Sequence, residues 1–380
     1  MSEAIRVLDV LRRLDRLAPP DLAESWDRVG LQVGRPDQAV ARVIVALEVT
    51  DDVLAELGVQ QDTLLVTHHP LLFRPLDAVR TDRPEGRQVA AVLAAGAALV
   101  ACHTNWDKAP GGTDDALAEA LGIIAPRPLE GASRPAFGVW TMVPEDDLDT
   151  VREAMAEAGA GASARYRRAS FSVGGESTFE ALAGAQPAHG AVGAFTLRHE
   201  RRLEMVVDGE RLAGVLRALL AAHPYEEPAY GVVALHGGWP FGGLGRVGDW
   251  PADEPVAAAA ERVREALGAQ AVRVVGDARR TVRRAASVGG SGRSLLARAA
   301  AAGADLVVTA DIGHHDARLA EALGLAVVDA GHRETEAPGV HALAGRLRAA
   351  LKDADVPVPV DQLAVASPFA FAAARPSQGR

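Results

Sequence analysis

The segment Thr67-His68-His69-Pro70 closes the apolar run Thr63-Leu64-Leu65-Val66. Successive side chains on a strand point to opposite faces. Two neighbouring imidazoles therefore share one cavity only where a strand has just ended, and Pro70 marks such an end. Tandem imidazoles there suit two metal ions side by side, one nitrogen for each.

Three other places carry matching donors: His103-x3-Asp107, Asp311-x3-His315 and His332-x3-Glu336. Imidazole with carboxylate suits Zn²⁺, and equally Mn²⁺, Fe²⁺ or Ni²⁺. A carboxylate can bridge two cations, and Asp107 is the first candidate for that bridge; a turn before Pro110-Gly111-Gly112 is its competing reading. His103 either binds metal or orients a residue that does. His332 and Glu336 share a face if their turn is helical. Asp311 with His314 and His315 reads equally well as a helix cap with surface histidines. Gly289-Gly290-Ser291-Gly292 joins a strand to a helix. It lacks the Walker spacing and lysine, so a tight turn competes with an anion site there. His223-Pro224-Tyr225-Glu226-Glu227-Pro228 reads as a rigid corner.

These residues need strands to carry them. Val40 to Val49, Thr63 to Thr67 and Ala98 to His103 read as strands. They alternate with helices over Met1 to Leu17, Asp51 to Leu57, Arg87 to Ala95 and Asp114 to Leu121. The last third repeats the pattern: strands over Arg283 to Val288, Asp305 to Ala310 and Ala326 to Asp329, helices over Ser294 to Ala302, His315 to Leu323 and Val340 to Leu351. Apolar strands between helices imply sheets covered on both faces. The expected fold class is α/β, a two-lobed core over residues 1–125 and 240–365, with ligand-type residues past the strand carboxyl ends. Residues 126–239 read as β-α-β-β-α-β, a ferredoxin-like α+β insertion. Residues 366–380 read as a disordered tail.

Composition narrows the function classes. With 380 residues, 48% hydrophobic and 24% charged, the chain can bury more than one core. A formal charge of −10 argues against nucleic acid or an anionic membrane as partner. The two lysines are Lys108 and Lys352, so a Schiff base or lysine P-loop has only Lys108 to use. The single cysteine, Cys102, excludes an internal disulfide and a thiolate cluster, and its place after a strand suggests a buried thiol. The apolar run Val89 to Cys102 is shorter than the roughly 20 residues of a membrane helix. The charged first segment is no signal peptide. A cytoplasmic location is the expectation by elimination.

Seven segments together resemble a known family: Glu24 to Gly34, Thr67 to Pro70, His103 to Asp107, Gly111 to Asp114, His223 to Pro228, Thr309 to Asp311 and Gly331 to Glu336. The chain resembles the GTP cyclohydrolase 1 type 2 homologues, the Nif-three-like dinuclear metal-centre hexamers. Arg28 stands where that family usually has Asn, and Ala310 where it usually has Gly. The resemblance implies two metal ions held by His68, His69, Asp107, His332 and Glu336, with His103 close by. It also implies a toroidal homohexamer and identifies the inserted domain as P-two/CutA-like.

The expectation is then a dimetal hydrolase of a nucleotide or related small molecule, with a metal-activated water as nucleophile. Zn²⁺ is the first choice of metal, with Fe, Mn or Ni as alternatives. His103 or His315 would move the proton. Lys108, Ser291 and Gly292 are the candidates for holding substrate phosphates. The alternative is a non-catalytic dimetal protein in which the insertion senses a ligand.

Overall fold

In a computed structural model, residues 4–58, 61–163, 166–354 and 356–371 are described. The chain divides into two compact units, residues 1–132 with 241–380, and residues 133–240. Among the described residues, no helix is long and apolar enough to cross a membrane. Residues 366–371 form neither helix nor strand, and 372–380 lie outside the described residues.

The larger unit contains two sheets. The first runs in the order Gly30–Val33, Ala98–Ala101, Thr63–Thr67, Arg42–Ala46, Val360–Gln362. Its last four strands are mutually parallel, and Gly30–Val33 is antiparallel to Ala98–Ala101. The continuous apolar runs predicted buried strands, and Thr63–Thr67 and Ala98–Ala101 are buried throughout. Parallel strands covered on both faces have no polar side to show.

The second sheet runs Arg273–Val275, Ala326–Asp329, Leu306–Ala310, Thr281–Ser291, Trp239–Pro255, Ile124–Arg134. Thr281–Ser291, Leu306–Ala310 and Ala326–Asp329 are parallel. In both sheets the donor residues follow the carboxyl ends of parallel strands. His68 and His69 come directly after Thr67, His103 two residues after Ala101, Asp311 directly after Ala310, and His332 three residues after Asp329.

The helix His332–Asp353 joins the halves. The sequence pattern places a helix only from Val340 to Leu351. In fact Pro338 lies inside the helix, near its beginning. The buried residues Glu336, Val340, Leu343, Ala344, Leu347 and Leu351 form one stripe. This stripe adjoins helices Val7–Leu17 and Thr113–Ala120 and strands Thr281–Ser291 and Val360–Gln362. At Gly339 a side chain would meet Thr113 Oγ1 at 2.6 Å, so the helices cross closely there. The Trp106 indole donates to the Gly339 carbonyl at 2.9 Å.

The smaller unit is a four-stranded antiparallel sheet ordered Phe171–Glu180, Phe195–Asp208, Ala136–Pro144, Tyr230–Ala234. Numbered along the chain this is 2-3-1-4, the ferredoxin-like arrangement. Helices Leu148–Glu157 and Leu212–Ala222 pack on it around Val139, Val151, Met155, Leu203 and Leu219. The corner at His223 is built by hydrogen bonds. The Tyr225 amide donates to His223 Nδ1 at 3.1 Å, so Nε2 carries the proton that reaches the Met142 carbonyl at 2.7 Å. Burial lowers the pKa of His223, in keeping with this neutral tautomer.

Candidate metal centre

Four imidazoles converge at the carboxyl ends of the parallel strands of the two sheets. His68 follows its strand into the interior and is 1% exposed. His68 and His69 ring centroids are 5.2 Å apart, as are those of His69 and His332 and of His68 and His103. One donor atom from each of His68, His69 and His103 falls within 4.8 Å of the others, and the same is true of His69, His332 and Glu336. His69 belongs to both groups. These groups could hold a metal ion.

The carboxylate at the middle is Glu336. Its Oε1 lies 3.0 Å from His332 Nε2, one helical turn earlier, and 3.5 Å from His68 Nε2. Its Oε2 lies 2.9 Å from His69 Nε2. Asp107 reaches one of these imidazoles, with Oδ1 3.5 Å from His68 Nε2. Three buried side-chain atoms here lack a well-aligned hydrogen bond: His68 Nε2, Asp107 Oδ1 and Glu336 Oε2, the last in ion-pair contact with His69. Leaving a buried polar atom unsatisfied costs about 1–3 kcal/mol. Three such atoms facing one another mark a place built for a ligand that all of them can share, and a divalent cation fits that donor set.

Each histidine is also held from behind. His68 Nδ1 is 3.0 Å from the Cys102 carbonyl. His103 Nδ1 is 2.8 Å from Asp27 Oδ1, and His332 Nδ1 is 2.6 Å from Asp311 Oδ2. His69 Nδ1 lies 3.6 Å from Glu48 Oε2. Each partner is an acceptor, so in the neutral imidazole Nδ1 carries the proton and Nε2 offers its lone pair to the cluster. This is the usual way a protein fixes the tautomer of a metal-binding histidine.

The electrostatics agree with a site short of positive charge. Burial opposes protonation of His69, but Glu336 and Glu48 outweigh it and raise its pKa to about 10. Hydrogen bonding to Glu336 raises that of His332 to about 9. Burial works against ionisation of Glu336, yet His68, His332 and His69 hold it well below the usual carboxylate range. Asp107 shifts the other way, because burial dominates there. Cations would supply what the protons otherwise provide, so metal and proton compete.

A glycine turn makes room for the cluster. At Gly290 φ is +59°, and a Cβ would overlap Glu336 Oε1 and sit 3.0 Å from His332 Nε2. The turn is tied down by side chains: Gly289 N–H donates to Asp114 Oδ1 at 2.8 Å, Gly290 N–H to Thr335 Oγ1 at 3.0 Å and Gly292 N–H to Thr309 Oγ1 at 2.8 Å. Asp114 is buried, its carboxyl pushed up to about 7 by desolvation, and it also accepts from Gly245 N–H at 2.6 Å.

Matches to known proteins now bear on this geometry. The family model Duf34/NIF3 (NGG1p interacting factor 3) matches residues 5–367. The chain belongs to the DUF34/NIF3 family. It is 42% identical over 340 residues to a Mycobacterium tuberculosis protein named GTP cyclohydrolase 1 type 2 homolog, covering 88% of this chain and 89% of the relative. A Bacillus subtilis protein of the same name is 36% identical over 333 residues, covering 87% and 89%. A solved structure of a Bacillus cereus protein related to NIF3 superposes with a TM-score of 0.90 at 32% identity, covering 98% of this chain and 100% of the other.

Within this DUF34/NIF3 chain the residues expected to do chemistry divide. His68, His69, His103, Asp107, His332 and Glu336 come together. His315 belongs to neither group; it is exposed at the start of helix His314–Ala322, with its ring beside His314. Lys108 Nζ is paired with Glu24 Oε1 at 2.7 Å. Around Ser291 and Gly292, three of the turn's amides are taken by Asp114, Thr335 and Thr309, which leaves those N–H groups satisfied without an anion. Asp311 caps no helix: the cap is Gly313, and Asp311, at φ +57°, holds His332. The sequence pattern assigns no role to Asp27, Glu48 and Asp114, and places Gly290 only within a glycine turn. Asp27, Asp114 and Asp311 all lie in segments that carried the family resemblance, which was the available signal.

Proposed function

We propose that this protein is a dinuclear metal-dependent hydrolase acting on a nucleotide or related small molecule. The observation that carries the reading is the set of three buried atoms without a well-aligned hydrogen bond, His68 Nε2, Asp107 Oδ1 and Glu336 Oε2, facing one another among imidazoles whose other nitrogens are fixed. The relatives' name, GTP cyclohydrolase 1 type 2 homolog, supports a nucleotide as the substrate class.

His68, His69, Asp107, His332 and Glu336 would hold two divalent ions, with zinc the first choice and iron, manganese or nickel compatible with the same donors. When bound, such ions lower the pKa of coordinated water and polarise the group to be attacked. Glu336, within ion-pair distance of three imidazoles, is the better placed carboxylate to serve both ions. Asp27 keeps His103 oriented with Nε2 free to take or deliver a proton at the cluster. Asp311 and the Cys102 carbonyl keep the His332 and His68 rings from turning, and Glu48 stands within ion-pair distance of His69 Nδ1. The family resemblance supports a homohexameric assembly, and the charged first segment and absence of a long apolar run support a cytoplasmic location.

Elemental analysis of the purified protein tests the site. About two transition-metal ions per chain are expected in the wild type, and a large loss in Glu336→Gln and in Asp107→Ala. A folded, metal-free wild type that still turns over substrate would refute the reading. Turnover of a nucleotide panel, GTP included, with and without chelator, tests the reaction class.

A further inference from the structure

Trp26 is 54% exposed and Phe73 is 45% exposed, although both stand beside the imidazole cluster. By contrast Trp106, on the neighbouring helix, is fully buried. The Trp26 and Phe73 ring centroids are 5.9 Å apart with planes at 65°. Trp26 lies 6.3 Å from the His103 ring at 75°, and Phe73 lies 6.5 Å from it at 84°. Three rings thus meet edge to face, and Trp26 and Phe73 form a corner against His103 of the imidazole cluster.

The corner is rigidly mounted. On the Trp26 side, Glu24 N–H donates to Thr104 Oγ1 at 2.9 Å, Asp27 N–H donates to the Glu24 carbonyl at 2.9 Å, and the Asp27 carboxylate accepts from Thr104 N–H at 3.0 Å. On the Phe73 side, Leu72 N–H donates to Gln32 Oε1 at 3.0 Å. The same Gln32 amide donates to the Arg28 carbonyl at 2.9 Å, which ties the Phe73 segment to the Trp26 segment. Both backbones are pinned while the aromatic side chains stay open to solvent. Exposing large apolar rings at a fixed position beside a polar cluster is informative, because burial is otherwise favoured.

We propose that Trp26 and Phe73 form a subsite that binds a flat, neutral nitrogen heterocycle, the nucleobase of the substrate, by stacking. The proposal rests on the reading of the adjacent cluster as a small-molecule site. Planar rings pack on aromatic faces in offset or edge-to-face geometry, and the corner offers both. A cationic ligand is disfavoured, because two divalent ions would sit beside it. Two side chains are far less than the roughly 800 Å² per partner of a stable protein interface.

Calorimetric titration of the metal-loaded protein with GTP and with ribose 5-triphosphate tests this. Both probes carry the same charged groups, and only GTP carries a base. Wild type should bind GTP about tenfold or more tighter, in line with the usual worth of base stacking on an aromatic ring. Trp26→Ala and Phe73→Ala should each erase most of that preference, leave ribose 5-triphosphate affinity unchanged, and keep the wild-type metal content. Trp26→Phe, which keeps a ring, should retain most of it. Absence of a preference in wild type, equal weakening of both probes, or a preference that survives both alanine variants overturns the proposal. So does a change in sedimentation of Trp26→Ala with the preference kept, which would make the corner an interface between copies. Metal content is read on the same samples: a base preference that Trp26→Ala erases in metal-free protein would sustain the subsite while the dimetal reading fell.

Discussion

Gly290 and Glu336 approach so closely that a methyl group on the glycine would overlap the Oε1 of the glutamate. The glycine also sits at φ +59°, where a side chain costs about 1–2 kcal/mol. Gly290→Ala should therefore push Glu336 and His332 apart and release metal, while far-UV circular dichroism stays that of the wild type. Normal metal content in this variant would mean that the turn does not shape the site.

Asp311 acts on the centre through His332. Its carboxylate is 2.6 Å from His332 Nδ1 and fixes the tautomer that presents Nε2. Asp311→Ala should weaken metal affinity by about 10- to 100-fold, the usual effect of removing such a partner. Competition with a chromophoric chelator measures it, and an unchanged constant would remove Asp311 from the site.

Asp27 links pH to stability. Burial opposes its ionisation, but hydrogen bonds from His103, Thr104 and Arg28 win and hold the carboxyl well below its usual range. A depressed folded-state pKa stabilises the protein above the unfolded value, about 3.9, and that contribution fades as the pH falls through the folded value. Urea unfolding should show Asp27→Asn less stable than wild type at pH 6, with the gap narrowing below about pH 4. A gap that widens in acid would reverse the sign of this account.

Cys102 is buried, and desolvation pushes its thiol up to about 12. Only the thiolate reacts readily. Iodoacetamide should leave the native chain unlabelled at pH 8 and label it stoichiometrically in urea. Rapid native labelling would show that the strand end at Cys102 opens.

Metal should stabilise the fold by mass action. At a free concentration one hundred times the dissociation constant, a ligand that binds only the native state adds about 2.7 kcal/mol. Zinc or manganese should raise the wild-type melting temperature by several degrees and leave that of Glu336→Gln nearly unchanged. Equal shifts in both proteins would place the stabilising ion elsewhere.

Much of this was legible in the sequence where one residue carries one job. Adjacent imidazoles at the end of an apolar strand, followed by Pro70, can converge only past the sheet, and His68 and His69 do. The i, i+4 spacing of His332 and Glu336 placed both on one helical face. What stayed hidden depends on three-dimensional neighbours. Asp27 had no role of its own in the sequence pattern, and Asp311 stood between donor and helix cap, because what each does lies at the back of a distant histidine. The glycine turn at Gly289 to Gly292 left a tight turn and an anion site in competition, and only the structure shows its amides occupied by Asp114, Thr335 and Thr309. Val340 to Leu351 read as a helix, yet the helix starts at His332 and holds Pro338 within it. The charged segment Val256–Ala266 forms a helix that its mixed pattern did not announce.

The strand Val360–Gln362 lies beside Arg42–Ala46, in the sheet that presents His68 and His69. Its register partners in that sheet come from more than 300 positions upstream in translation order. A ribosome must therefore release residue 362 before that sheet has its full set of strands. Until then the nascent Arg42–Ala46 segment carries unpaired amides and carbonyls that another polypeptide could recruit. Premature termination inside the long preceding helix would leave that edge permanently open, making such fragments prone to co-aggregate even though the histidine pair has already been made.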